Sequence, residues 1–152
     1  MIKNCMKRDV ISVHATATIR EAAALVVAHH IGQLPLVDDH NRLIGIVDIQ
    51  DLLSLELPDF YKLLPDVDFV HDFGAVETTR PSPEILDRPI RTLARPATSV
   101  IESCGLLRAY AIMLKHELHD LPVVSENGVL VGIASRVDIG TAILSLWKTP
   151  KP

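Results

Sequence analysis

Apolar positions along this chain follow two alternating rhythms. From Thr18 to His30 they crowd an Ala-rich stretch that opens with Thr18-x-x-Glu21, the reciprocal capping pattern of a helix start. Around Gly105–Glu117, residues Leu106, Ala109, Tyr110 and Met113 fall at helical spacing. Each stretch is followed by two β-rich runs, Leu34–Val37 with Leu43–Val47, and Leu121–Val124 with Leu130–Ala134. The residues between the runs, Asp38-Asp39-His40-Asn41 and Ser125-Glu126-Asn127-Gly128, are turn formers, so each pair reads as a hairpin. Short extended segments, Val10–Val13 and Ala97–Ile101, precede the two stretches, and second helices begin near Asp48 and Ser135. The predicted unit is β-α-β-β-α, and it occurs twice.

The two copies are related by one fixed separation. Val13 matches Val100, Ile19 matches Leu106, Pro35 matches Pro122, Gly45 matches Gly132 and Asp51 matches Asp138, always 87 residues apart. Each unit of about 50 residues is too small to bury a comfortable core alone, so the two are expected to pack together. The predicted organisation is a first repeat over residues 1–54, an intervening segment over 55–89 and a second repeat over 90–152, in a mixed α/β (α+β) fold.

The residues of the repeat resemble the CBS (cystathionine-β-synthase) domain. That family carries a Leu-Pro-Val-Val-Asp strand, a turn, then Gly, two apolar residues, Thr or Ser, two further residues and Asp. Gly132-Ile133-Ala134-Ser135-Arg136-Val137-Asp138 matches throughout, while Gly45-Ile46-Val47-Asp48-Ile49-Gln50-Asp51 departs at Asp48. The resemblance implies a tandem pair packed about a pseudo-twofold axis. Two related clefts would then bind adenosine-containing ligands: AMP, ADP, ATP or S-adenosylmethionine.

On that resemblance the complete cleft is the one closed by Asp138. A carboxylate there suits both ribose hydroxyls, and Ser135 and Arg136 lie beside a phosphate at a helix start. Ile133 lines the base pocket, His119 stands where one family member contacts phosphate, and Ile11, Ile31 and Gly32 are expected from the first repeat. The weaker cleft, with Asp51, Ile46, Thr98 and Leu118, carries Asp48 where a hydroxyl is expected, and a carboxylate there repels phosphate. Gly32 also stands where the second repeat has His119. That cleft is expected to be empty, to hold an uncharged or cationic ligand, or to need a bridging metal. The plainer reading is that Asp51 and Asp138 only stabilise helix N-termini.

Composition narrows the rest. The 152 residues are 48% hydrophobic but 4% aromatic, so the interior is built from Ala, Val, Leu and Ile. A net charge of −4 gives no electrostatic case for nucleic acid or an anionic membrane, and no apolar run approaches a membrane span. Charges follow Met1 where a secretory leader would turn apolar, so a cytoplasmic location is expected. His116 and His119 are three apart, not the four of a zinc-peptidase helix, so no metal is expected. Cys5 and Cys104 read as reduced structural thiols, and His29-His30 as a helix end. No catalytic group and no required cofactor are expected.

The intervening segment holds all three phenylalanines, Phe60, Phe69 and Phe73, with Tyr61 and eight carboxylates. That composition reads as an ordered excursion with a short helix near Pro58–Leu64, packed on the module, on a second copy, or on a partner. Ala22–Val27 and Leu106–Met113 offer apolar helical faces, so a disc-shaped homodimer is expected. The module would act in trans on an unidentified regulated protein. The competing expectation is a ligand-independent interaction or oligomerisation scaffold.

Overall fold

The computed structural model describes residues 1–57, 59–63, 73–74, 79–147 and 150. Each repeat forms a three-stranded sheet. In the first, β1 (Val13–His14) runs parallel to β2 (Gln33–Val37), which pairs antiparallel with β3 (Leu43–Asp48). In the second, β4 (Val100–Ile101), β5 (Asp120–Val124) and β6 (Leu130–Ser135) repeat that order. The helices are α1 (Ile19–His29) and α2 (Ile49–Leu53) in the first repeat, α3 (Pro83–Leu86) between repeats, and α4 (Leu106–Lys115) and α5 (Arg136–Leu144) in the second. The helix read at the start of the intervening segment is a 3-10 turn, Asp59–Leu63; Pro58, Leu64 and Phe69 lie outside the described residues.

Local chemistry places these elements as the pattern predicted. Thr18 caps α1 in a reciprocal box with Glu21, whose N–H donates to the Thr18 hydroxyl at 3.1 Å. Each central strand contains a buried proline, Pro35 or Pro122. The reason it is tolerated lies in the register. Pro35 opposes Ile46, whose N–H and C=O point away from it, so the missing proline N–H would face the β1 side. There β1 pairs only with Leu36 and Val37 and leaves Pro35 outside the ladder.

The pseudo-twofold relation is visible in the hydrogen bonds joining the hairpins. Leu43 N–H donates to the Gly128 carbonyl at 3.0 Å, and Leu130 N–H donates to the Asn41 carbonyl at 2.9 Å. Leu43 and Leu130 are equivalent positions, as are Asn41 and Gly128. Both turn residues hold a left-handed backbone, φ 57° and 80°, which Asn and Gly tolerate best.

The cores are not made from contiguous stretches of chain. Ile2 and Met6 are buried in the core of the second repeat, with Val100, Ala109, Met113, Leu121 and Ile139. Ile90 is buried in the core of the first, with Val13, Ile19, Leu34 and Val47. Each repeat thus begins with an arm that completes the other repeat. Both arms start with a short 3-10 turn, Ile2–Asn4 and Ile90–Thr92, and then pair with the far edge of the other sheet. Lys7 exchanges backbone hydrogen bonds with Ile133 at 2.8 and 2.9 Å, and Arg95 with Ile46 at 2.9 Å in both directions.

This crossing explains the motif glycines. A Cβ on Gly132 would lie 2.5 Å from Met6 Sδ and 3.1 Å from the Lys7 carbonyl oxygen. One on Gly45 would lie 3.2 Å from the Arg95 carbonyl oxygen. In both repeats the glycine is where the other arm passes over the strand. Cys104 is buried and Cys5 half-buried, and both are free thiols. Among the described residues no helix is long and apolar enough to cross a membrane.

Candidate functional site

The strand-to-helix junction of the second repeat gathers several of the expected residues. Ser135 ends β6 and caps α5, accepting from the Asp138 N–H at 3.0 Å. In return Asp138 Oδ2 accepts the Ser135 N–H at 2.9 Å and its hydroxyl at 2.8 Å. Oδ1 has no partner among the described residues, and the side chain is only 22% exposed. A half-buried carboxylate with one oxygen unused is an acceptor available to a ligand hydroxyl.

The junction also carries two cations. Arg136 N–H donates to the His119 carbonyl at 3.0 Å, and its Nε–H donates to the Leu118 carbonyl at 2.5 Å. That contact fixes the guanidinium at one edge and leaves its outer nitrogens for another acceptor. The Lys7 ammonium, carried in by the N-terminal arm, stands 3.9 Å from Asp138 Oδ2. Beside these, burial raises the Asp120 pKa above its ordinary value; the positive charges of His119 and Lys7 oppose the shift and the charge of Asp138 adds to it. Burial likewise raises the Cys5 thiol, helped by the Asp138 charge and opposed by the terminal amine.

The first repeat repeats the backbone geometry with different side chains. Asp48 caps α2, accepting from the Asp51 N–H, while Asp51 accepts from the Asp48 N–H, both at 2.9 Å. Gly32 supplies the carbonyl for the first helical N–H, that of Ile49, at 2.8 Å. Arg95 then fills the space before the two carboxylates. Its Nε–H faces both Asp51 oxygens at 3.1 Å, and Nη2 donates to Asp48 Oδ2 at 2.5 Å. Partial burial works against the guanidinium charge, but the hydrogen bonds and charges of Asp51 and Asp48 outweigh it and raise its pKa. Asp48 is therefore one of three members of an ion-pair cluster, with Asp51 and Arg95.

The remaining expected residues are distributed as follows. Ile133 is paired with Lys7 beside the Asp138 junction, and Ile46 with Arg95 beside the Asp51 junction. Leu118, read into the first-repeat cleft, gives its carbonyl to Arg136 in the second. Ile11 and Thr98 occupy equivalent crossings of the arms between the two sheets, and Ile11 and Ile31 pack on the first core. No hydrogen bond or ion pair among the described residues joins Ile11, Ile31 or Gly32 to Asp138. Gln33 Oε1, which lies at the β2 position equivalent to Asp120, is buried without a partner among the described residues. Lys7 and Arg95 were not anticipated. Their common role shows in sequence only if the offset between copies is allowed to change from 87 to 88. Among the described residues no group of three or more His, Cys, Asp or Glu side chains is placed to hold a metal.

Comparison with known proteins fits this architecture. The CBS domain model matches residues 2–57 and 90–145. The chloroplastic CBS domain-containing protein CBSX1 of Arabidopsis thaliana is 31% identical over 150 residues, covering 94% of this chain and 63% of the relative. The chain thus spans under two thirds of that relative's length. A structure of CBSX2 in complex with AMP superposes with a TM-score of 0.71 at 25% identity, covering 95% of this chain and 96% of that one. The putative acetoin utilization protein AcuB of Vibrio cholerae gives 0.71 at 27% identity, covering 99% and 97%. With two matched domains, two equivalent sheets and an arm exchanged between them, this chain belongs to the CBS domain family as a tandem pair.

Proposed function

We propose that the chain is a regulatory module that binds one adenosine-containing ligand at the Asp138 junction and acts in trans on a partner protein. The observation that carries this reading is the half-buried Asp138 carboxylate with Oδ1 unused, set at the start of α5 between Lys7 and Arg136. A ribose would place its hydroxyls on Asp138, and a phosphate would meet Arg136, His119 and the N-terminus of the nine-residue α5. Ile133 and the arm crossing at Ile11 would wall the base. The AMP complex of CBSX2 supports a nucleotide.

We further propose a homodimer. Leu107 and Leu114 on α4, Leu144 on α5, and Leu146 and Trp147 beyond it are exposed apolar side chains near the helical layer of the second repeat. A melting screen tests the ligand reading. AMP, ADP or ATP at 100 times Kd should stabilise the fold by about 2.7 kcal/mol, or roughly 5–10 °C for a domain of this size. Indifference to every adenosyl ligand, S-adenosylmethionine included, would leave the scaffold reading standing.

A further inference from the structure

The two clefts differ most in the cation that each arm sets against its aspartate. The arm backbones are equivalent, since Lys7 and Arg95 each exchange two hydrogen bonds with the motif isoleucine. The head groups are not equivalent. Arg95 lies 3.1 Å from both Asp51 oxygens and also bonds Asp48. Lys7 stands 3.9 Å from a single Asp138 oxygen, with a side chain 69% exposed.

We infer that the arm cation decides which cleft accepts an adenosyl ligand. Arg95 is a tethered occupant that closes the Asp51 cleft, and Lys7 is a displaceable one that releases Asp138 to ribose and turns toward the ligand's phosphate. This rests on the ligand reading of Asp138 given above, and it names the residues that make the module single-sited and phosphate-selective.

The chemistry of the two side chains supports the difference. A ribose entering the first cleft would have to strip a guanidinium from both Asp51 oxygens while its backbone stays fastened to β3. Guanidinium stays charged at any working pH, and its planar fork loses little freedom in holding carboxylates. Lys7 offers a compact ammonium on a flexible stem, and an exposed pair at such a distance is held weakly. Giving it up costs little, and the same stem lets the charge follow a phosphate.

The charge balance points the same way. Asp48 and Asp51 against Arg95 leave one net negative charge, whereas Asp120 and Asp138 against Lys7 and Arg136 leave none. A phosphate therefore meets net repulsion in the first cleft and none in the second, where the outer nitrogens of Arg136 have no partner among the described residues. S-adenosylmethionine carries no phosphate, and its single carboxylate is outweighed by its ammonium and cationic sulfonium, so Lys7 offers it less than it offers AMP.

Two measurements on the full chain test the inference. In ligand-free protein, the Arg95 Nε–H should give a slowly exchanging NMR resonance that Asp51→Asn removes; its absence overturns the closed cleft whether or not any ligand binds. Calorimetry with AMP and S-adenosylmethionine is then run on the parent, Lys7→Arg and Lys7→Ala. Lys7→Arg should lower AMP affinity by about tenfold or more as its fork engages Asp138. Lys7→Ala should lower the ratio of AMP to S-adenosylmethionine affinity. A parent that binds one AMP while Lys7→Arg binds it equally well sinks the inference and leaves the ligand reading intact. A parent that binds neither ligand removes both.

Discussion

Replacing Asp138 by Ala separates its two tasks. In the folded chain the carboxylate completes the capping box of α5, and in the liganded chain it would accept ribose hydroxyls. Losing the Asp138 side of the box removes the acceptor for the Ser135 N–H at 2.9 Å. That costs about 1 kcal/mol from a total of order 5–15 kcal/mol, so the fold should survive with a melting point lower by roughly 2–4 °C. Losing the ribose acceptor is larger. Hydrogen bonds to a charged acceptor are worth about 1.5–3 kcal/mol each, so two weak ones together give about 3 kcal/mol, or roughly a hundredfold in Kd. Calorimetric titration with AMP reads this directly. Glu21→Ala is the control: it removes the matching N3 carboxylate of α1, which accepts the Thr18 N–H at 2.8 Å, outside either cleft. The pair should show similar melting losses and very different affinities. Equal AMP affinities for Asp138→Ala and the parent would refute the role of Asp138.

Other outcomes follow from the same geometry. Ile2→Ala, although in the first repeat by sequence, should weaken the second core by about 2–5 kcal/mol, and hydrogen exchange should rise in β5 and β6 before β2 and β3. Gly132→Ala should be more damaging than Gly45→Ala, by about 1–3 kcal/mol of overpacking against Met6 and the Lys7 backbone, as read by denaturant midpoints. Asp120 has a raised pKa in the folded chain, so it favours folding below its ordinary value of 3.8 and that contribution is lost as pH climbs through the folded value; Asp120→Asn should flatten this part of the stability–pH curve. Light scattering should give twice 16.7 kDa, and a mass of one chain at micromolar concentration would count against the dimer.

The fold was legible in the sequence wherever one residue type had one physical reason. Thr18 and Glu21 mark a cap, the hairpin turns mark themselves through Asn41 and Gly128, and the fixed offset from Val13 to Asp51 ties the copies together. The exchanged arms were not legible, because the offset shifts by one residue between Arg95 and Val100. A search at constant spacing matches Lys7 to Ala94 and passes over the true equivalence. That shift hid the basis for Gly45 and Gly132, which sequence alone reads only as motif letters. It also hid the cation beside each aspartate. Asp48 looked like a repelling charge for phosphate, and only the folded chain brings Arg95 across 44 residues to pair with Asp51 beside it. A lone Asp48→Thr change is therefore not enough to open that cleft, since Asp51 would remain held.

A crystal structure of the chain grown with saturating AMP decides whether Asp138 closes its single adenosyl site. One AMP per chain is expected, its ribose hydroxyls on the Asp138 carboxylate and its phosphate facing Arg136, with Arg95 still on Asp51 and Asp48. AMP bound at Asp51 with Arg95 displaced, or crystals with Asp138 bare at saturating AMP, would contradict it.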